Sequence, residues 1–213
     1  MGASIELVTT DGVFALDGAE WAVTNNVWLI GDDREVVVID AAHDALAIAA
    51  AVGSRRVRSI VLTHGHNDHI DAAVPLRDLV DAPVALHEAD RMLWDVVWPH
   101  AAPDAALVEG ELLTIAGTRL AILHTPGHSP GCCCLHDLDG GRVFSGDTLF
   151  CGGPGATGRS YGDEPTIVRS IVETLLSLPD QTVVHAGHGD STTIGAEREG
   201  VIARAREVGL TVR

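Results

Sequence analysis

The sequence contains no lysine, so all 14 of its basic residues are arginines, and these stand against 30 acidic residues. The formal charge of -16 would repel a phosphate backbone, because binding to nucleic acid depends on cationic side chains that displace its counterions. We therefore expect no nucleic-acid partner. Aromatic residues are also scarce, at 4%, whereas apolar residues reach 46%, a balance typical of ordinary globular proteins.

Long apolar runs are missing as well. The longest, residues 45–52, falls far short of the roughly 18 residues that a membrane span needs. The opening Met-Gly-Ala-Ser-Ile-Glu has neither the basic flank nor the apolar core of a signal peptide. We expect a cytoplasmic protein with no membrane partner and, at 213 residues, a single domain over 1–213. Homo-oligomerisation is left open.

Cysteine is limited to four residues, of which Cys132, Cys133 and Cys134 are consecutive. Their side chains would alternate across a strand rather than face one another, so a disulfide framework is not expected. Reduced, buried thiols are the preferred interpretation over a redox role. Cys151 is the one cysteine near the proposed site in sequence.

Short apolar runs rich in β-branched residues alternate with segments of helical spacing. The runs have the length of buried strands and occur at 36–39, 60–62, 142–144 and 182–184. Helical spacing is clearest after Pro165, where Ile167, Ile171 and Leu175 form a ladder that Pro179 closes, and weaker at 44–52, 70–80 and 196–208. Two sheets flanked by helices would accommodate this order.

Potential metal ligands follow several of these strand-like runs. Directly after 60–62 comes Thr-His-Gly-His-Asn-Asp-His over residues 63–69. Three more candidates, each beside a glycine that lets the backbone turn sharply, are His128, Asp147 and His188. A solvated polar loop is the alternative for 63–69 alone, but the recurrence of ligand types after strand-like runs favours a metal site.

The pattern His-x-His-x-Asp-His, followed by a single His, Asp and His, resembles the metallo-β-lactamase superfamily over residues 36–197. Three motifs and the pair Gly158-Arg159 are similar to the glyoxalase-II-like group; the motifs are Thr-Pro-Gly-His-Ser-Pro-Gly at 125–131, Phe-Ser-Gly-Asp-Thr-Leu-Phe at 144–150 and Gly-His-Gly-Asp-Ser-Thr-Thr-Ile-Gly at 187–195. The resemblance implies an α+β fold, a four-layer αβ/βα sandwich in which two mixed β-sheets pack face to face with helices outside.

The resemblance also implies a dinuclear centre that activates a bridging hydroxide. It assigns one metal ion to His64, His66 and His128, a second to Asp68, His69 and His188, and a bridging position to Asp147. Imidazole and carboxylate donors without a thiolate suit two divalent ions, for which we expect zinc, with iron or manganese as alternatives.

Supporting roles are predicted for residues beside the ligands. Asp40, after the run 36–39, resembles the aspartate that orients the family's metal ligands from behind; a helix cap is its alternative. Asp68 is a candidate proton shuttle, although a coordinated carboxylate is a weak base. The remaining histidines are assigned surface or structural roles, with His43 the partial exception because it lies near Asp40: His43, His87, His100, His124, His136 and His185.

Two sets of residues are candidates for substrate contact. Arg159 and Tyr161 lie on the loop that borders the site in glyoxalase-II-like proteins, where Arg159 would bind or orient an anion; a structural pair with Asp163 is the alternative. Trp94 and Trp98 stand at helical spacing and would either form an apolar wall over the substrate or pack in the core.

We expect a metallohydrolase acting on a small-molecule substrate, a thioester or related acyl compound, because of the glyoxalase-II-like motifs. The first alternative is a persulfide dioxygenase, which uses a single iron in a closely similar ligand pattern. A lactonase, a β-lactamase and a non-catalytic binding module follow in that order of preference.

Overall fold

The computed structural model describes residues 3–211, and its chain forms two six-stranded sheets. The first sheet contains β1 (Ser4–Leu16), β2 (Ala19–Gly31), β3 (Glu35–Ile39), β4 (Arg56–Val61), β5 (Val84–Leu86) and β6 (Ala105–Ala106), in that order. Strands β1 to β3 are antiparallel, whereas β3 to β6 are parallel. The long β1–β2 hairpin extends past β3, because only the last four residues of β2 pair with that strand.

The second sheet is also mixed. Its strands are β7 (Leu112–Ile115), β8 (Thr118–His124), β9 (Cys133–Asp137), β10 (Arg142–Gly146), β13 (Val183–Ala186) and β14 (Thr192–Thr193). Their order is β14-β13-β10-β9-β8-β7, with β10 and β13 parallel. A separate two-stranded sheet joins β11 (Leu149–Phe150) to β12 (Gly153–Pro154). All four strand-like runs of the sequence lie at or within strands of these sheets.

Helices cover the outer faces. They are α1 (Ala45–Val52), α2 (Asn67–Ile70), α3 (Ala73–Val80), α4 (Arg91–Val97), α5 (Glu164–Glu173) and α6 (Ile194–Glu207), with 3-10 turns at Glu88–Asp90 and Leu175–Ser177. The helix predicted over 70–80 is confirmed over 73–80, but its start is misplaced by three residues, since α2 ends at Ile70 and α3 begins at Ala73. The backbone N–H of Ala72 donates to Ala41 O at 3.0 Å, which ties the break to the loop after β3.

Three apolar cores separate four layers, as the resemblance implies. Alternation along β3 shows this directly: Val36 and Val38 pack towards α1, α3 and α4, whereas Val37 and Ile39 pack between the sheets. The third core joins the second sheet to α5 and α6. The fold is therefore the predicted four-layer αβ/βα sandwich with mixed sheets.

The cysteines follow the same alternation. Cys133 points between the two sheets and Cys134 into the core under α5 and α6, and all four thiols are free. Burial raises the pKa of Cys134 to about 11, which keeps it a thiol at neutral pH. Within residues 3–211, no helix has the length and apolar character to cross a bilayer. The predicted single domain, 1–213, stays a prediction, and its outermost residues lie outside the described range.

Candidate metal centre

The seven predicted ligands converge at one edge of the paired sheets. Five of them follow the ends of strands β4, β8, β10 and β13, whereas Asp68 and His69 lie on the short helix α2. Their ligand atoms form three overlapping sets, each within 4.8 Å: His64 with His66 and His128; His64 with His69 and Asp147; Asp68 with His69 and His188. This is a His/Asp metal-binding cluster.

The first set has three ring nitrogens in mutual contact. His66 Nδ1 lies 3.1 Å from His64 Nε2 and 2.9 Å from His128 Nε2. On its other side, His128 Nδ1 donates to Ala156 O at 2.7 Å, so the proton of that ring is on Nδ1 and Nε2 presents a lone pair. Nitrogens that share one zinc ion at about 2.0–2.1 Å in tetrahedral geometry are themselves about 3.3 Å apart, close to the spacings found here.

The second set is oriented in the same way. His69 Nδ1 donates to Asp40 Oδ2 at 2.9 Å, and His188 Nδ1 donates to Thr24 O at 2.8 Å. In the neutral form of both rings the two Nε2 atoms carry lone pairs, and these atoms face each other at 3.2 Å. Asp68 Oδ2 lies 3.3 Å from His188 Nε2. A cation between these atoms would remove the conflict between facing lone pairs, so the set fits a metal ion.

Asp147 lies between the two sets. Its Oδ1 is 3.3 Å from His69 Nε2, and its Oδ2 is 3.5 Å from both His128 Nε2 and His188 Nε2. Oδ1 is buried and has no hydrogen-bond partner. A buried carboxylate oxygen without a donor is unfavourable, and a shared cation would satisfy it.

Burial keeps His64 and His66 of the first set neutral. It lowers the pKa of His64 well below the usual value and, together with the nearby His128, lowers the pKa of His66 to about 3. Neutral imidazoles are the form that binds metals, so these ligands need lose no proton when a cation binds.

The second set is coupled to carboxylates. Burial opposes protonation of His188, but hydrogen bonds with Asp147 and Asp68 outweigh it and raise its pKa to about 10. The same carboxylates raise the pKa of His69 well above its usual value against the effect of burial. In the metal-free protein these two rings are therefore in the charged, protonated form at neutral pH, and binding of a metal ion here releases protons.

Asp40 supports the centre from behind. It is almost fully buried, at 1% exposure; its Oδ1 accepts Thr63 N–H at 2.7 Å, while its Oδ2 accepts the Thr63 hydroxyl and the His69 ring N–H. Its φ of 64° is unusual for a residue with a side chain. These contacts favour the orienting role over the helix cap, because the N-cap of α1 is Asp44.

A chain of polar contacts that the sequence patterns did not reveal ends on Asp68. Asn25, fully buried on β2, donates from Nδ2 to Asp68 Oδ2 at 3.2 Å, and its Oδ1 lies 2.9 Å from His43 Nε2. His43 Nδ1 in turn contacts Asp71 at 2.8 Å. The neighbouring Asn26 donates to Ala186 O and Gly189 O, which holds the loop of the last histidine. An Asn-Asn pair directly before the apolar run 27–30 was the available signal.

The predicted substrate contacts are only partly near the centre. Arg159 lines a narrow recess beside His66 and His128, and its guanidinium stacks over Trp21, 3.9 Å from the ring centroid. Asp163, its proposed partner, instead caps α5 by accepting Thr166 N–H. Tyr161 is exposed at a positive φ of 71° and is absent from the recess lining.

For the two tryptophans the structure supports packing rather than a substrate wall. Trp94 has no exposed surface, belongs to the core outside the first sheet and donates to Ala101 O. Trp98 packs against the same core and donates to Ile70 O at 2.8 Å, at the end of α2. The substrate-contact prediction for this pair is therefore corrected, because both side chains lie behind the ligand segment.

The other histidines stay outside the cluster. His87 and His124 stack on each other with ring centroids 4.1 Å apart, and His185 packs between Trp28 and Phe144. Burial lowers the pKa of His185 to about 4. Neither His100 nor His136 is part of the ligand sets.

Comparison with known proteins agrees with this geometry. The family model described as the metallo-β-lactamase superfamily matches residues 21–188. The chain belongs to this superfamily. A Haemophilus influenzae relative named hydroxyacylglutathione hydrolase GloC is 34% identical over 193 residues, or 83% of this chain and 91% of the relative. The chain is accordingly a superfamily hydrolase with a metal-binding cluster.

Two solved structures are similar over most of their length. BLEG-1 B3 metallo-β-lactamase has a TM-score of 0.76 and 30% identity, covering 89% of this chain and 97% of the other. TTHA1623 in a di-iron-bound form has a TM-score of 0.72 and 35% identity, covering 83% and 93%. Members similar to this chain thus include a β-lactamase and a di-iron protein.

Proposed function

We propose that this protein hydrolyses a small thioester or a related acyl compound at a centre of two divalent cations. The position of Asp147 supports a paired centre most strongly, because its carboxylate reaches His128 of one ligand set and both His69 and His188 of the other. The relative named hydroxyacylglutathione hydrolase supports the thioester class.

The residues that would hold the cations are His64, His66 and His128 for one, Asp68, His69 and His188 for the other, and Asp147 for both. Such a pair would supply a hydrolase with Lewis acidity towards an acyl carbonyl and with a water acidic enough to ionise near neutral pH. Zinc is the expected metal, and the di-iron relative supports iron as the alternative.

The chain's own residues would position the acyl compound beside this centre. Phe14 borders the recess, with its ring centroid 5.2 Å from that of His66, and provides an apolar wall. Arg159, on the opposite loop, offers a guanidinium that can bind a carboxylate of the thiol carrier. Stacking of Arg159 on Trp21 holds the guanidinium beside the recess.

Proton delivery to the leaving group remains a proposal for Asp68. Burial alone would raise its pKa, but the charge of His69 and the hydrogen bond of His188 outweigh burial and lower it. A carboxylate with a lowered pKa is a weak base. Asp68 therefore serves best as a ligand that Asn25 orients, with proton transfer as a secondary role.

The test is elemental analysis of protein purified without a metal-affinity tag, followed by assays with the metal that is found. We expect two ions per chain and turnover of acyl-glutathione thioesters in preference to lactones and nitrocefin. His66→Ala should abolish turnover, whereas the matched variant His100→Ala, which removes an exposed histidine, should not.

Other outcomes would redirect the assignment. One iron per chain with thiol-dependent oxygen uptake would replace the hydrolase by a persulfide dioxygenase. Efficient nitrocefin hydrolysis with inert thioesters would favour a β-lactamase, the activity in the name of the BLEG-1 structure. Preferred turnover of lactones would assign a lactonase.

A further inference from the structure

The loops that carry the first ligand set meet on a side chain from a third element. Asp90 lies where the 3-10 turn Glu88–Asp90 joins α4, and it is completely buried. It belongs to neither ligand loop and is not in the set of candidate metal ligands.

Three short hydrogen bonds join Asp90 to both loops. Its Oδ2 accepts the backbone N–H of Gly65, between His64 and His66, at 2.7 Å. On the far side, Ser129 Oγ donates to the same oxygen at 2.6 Å, and Gly131 N–H donates to Oδ1 at 2.6 Å. Bonds to an ionised acceptor are shorter and stronger than neutral ones, so one carboxylate fixes the separation of the two loops.

The packing leaves the loops no room to move closer. A Cβ added at Gly65 would lie 2.9 Å from Asp90 Cβ, and one added at Gly131 would lie 2.6 Å from Asp90 Cγ. Both glycines are therefore required by the approach of the backbone to this side chain. The loops close directly on the carboxyl group from two directions.

We infer that Asp90 is a positioning residue that holds the His64–His66 loop and the His128 loop at the spacing that one cation requires. The three ring nitrogens lie 2.9 and 3.1 Å apart, although His128 is separated from the other two by about 60 residues of chain. No corresponding bond joins Asp90 to the loops of His69 or His188 among residues 3–211, so its effect should be confined to the first set. This inference rests on the proposed two-cation centre but not on a thioester substrate.

The substitution Asp90→Asn tests it by metal affinity. An amide cannot accept from all three donors, because its NH2 group would face either Gly131 N–H or the donors at Gly65 and Ser129. In a His188→Ala background, which retains the first set, Asp90→Asn should weaken zinc binding by about 10- to 100-fold, as loss of an orienting partner does. In a His66→Ala background, which retains the second set, it should change affinity less than about threefold. Affinities come from competition with a chromophoric chelator, using full-length metal-free protein.

The matched control is Asp137→Asn. Asp137 is also buried and also accepts two backbone N–H groups, from Asp139 and Gly140, but it is the last residue of β9 and its bonds hold the β9–β10 turn. Its replacement should lower stability and leave zinc affinity at both sets unchanged. Equal weakening at both sets by Asp90→Asn, the same weakening by Asp137→Asn, or parental affinity in Asp90→Asn would each overturn the inference.

A gentler variant covers the case in which Asp90→Asn does not fold. Ser129→Ala removes one of the three bonds and leaves the carboxylate in place. It should weaken the first set by a few-fold with no change at the second, and unchanged affinity at the first set would overturn the inference. Because the readout is metal binding, these results are independent of whether thioesters are turned over.

Discussion

Replacement of Asp40 by asparagine should disable one ligand while leaving it in place. Asparagine has nearly the same shape and tolerates the positive φ of this position, so the backbone is not strained. The amide carbonyl can still accept Thr63 N–H, but the NH2 group then faces the His69 ring N–H at the position of Oδ2. Two donors cannot pair, so the neutral His69 ring, which is the form that binds a metal, must carry its proton on Nε2 instead of Nδ1. Nε2 is the atom that faces His188 and Asp147, and a protonated nitrogen cannot bind a metal.

The structure allows the size of this effect to be bounded. One orienting hydrogen bond to one of three ligands is lost, and such losses typically weaken metal binding by about 10- to 100-fold, or about 1.4–2.8 kcal/mol. The second set should lose more affinity than the first set, which Asp40 reaches only through the Thr63 hydroxyl beside His64, and single-set variants titrated with zinc will show the difference. Thr63→Val, which removes the contacts of the hydroxyl with Asp40 Oδ2 and His64 Nδ1, should have a smaller effect at the second set. Parental affinity of Asp40→Asn at the second set would refute the tautomer argument.

Three further predictions follow. The pKa of His185 is lowered to about 4, whereas histidine in an unfolded chain titrates near 6.5, so the unfolded state binds more protons between these pH values. The free energy of unfolding should therefore fall by up to about 2 kcal/mol as pH drops through this window. His185→Gln should flatten this pH dependence when stability is measured by urea unfolding. Gly187→Ala would place a Cβ 2.5 Å from Asp147 Oδ1 and should therefore lower the metal content of the purified protein. The control Gly200→Ala adds a Cβ in open space on α6, so it should retain metal and raise the free energy of unfolding by about 1 kcal/mol. Trp94→Ala should cost about 3–5 kcal/mol in chemical denaturation and leave KM unchanged if it packs only in the core.

Strand positions followed directly from local patterns. Apolar runs such as 36–39 and 60–62 have the length of a strand and the continuous apolar composition of one buried on both faces, and each lies in the parallel part of the first sheet. The family resemblance, carried by ligand spacing, then implied the layer order that the three cores show. Over 70–80 the local pattern found the helix but not its start at Ala73, which follows a backbone hydrogen bond from Ala72 N–H to the sequence-remote Ala41 O.

The outcome for the tryptophans shows a second limit of sequence patterns. A spacing of four residues indicates that Trp94 and Trp98 share a helix face, but it does not say what that face contacts. Only the packing of α4 against α2 turns these side chains towards the core and away from a substrate. Arg159 was placed beside the centre by the family resemblance, whereas its stacking on Trp21 depends on the β1–β2 hairpin folding over the loop.

The sequence by itself determined the type and number of the donors, because histidine and aspartate are chemically distinctive and the glycine-flanked motifs that hold them are local. What only the tertiary structure decided is which partners orient these donors. Asn25, Asp40 and Asp90 come from three different elements, and each meets the ligand loops through hydrogen bonds that span more than 20 residues. Such contacts leave no local pattern, since any polar side chain on the right strand end could make them. Their geometry arises when the two sheets pack together and bring separate loops to one edge.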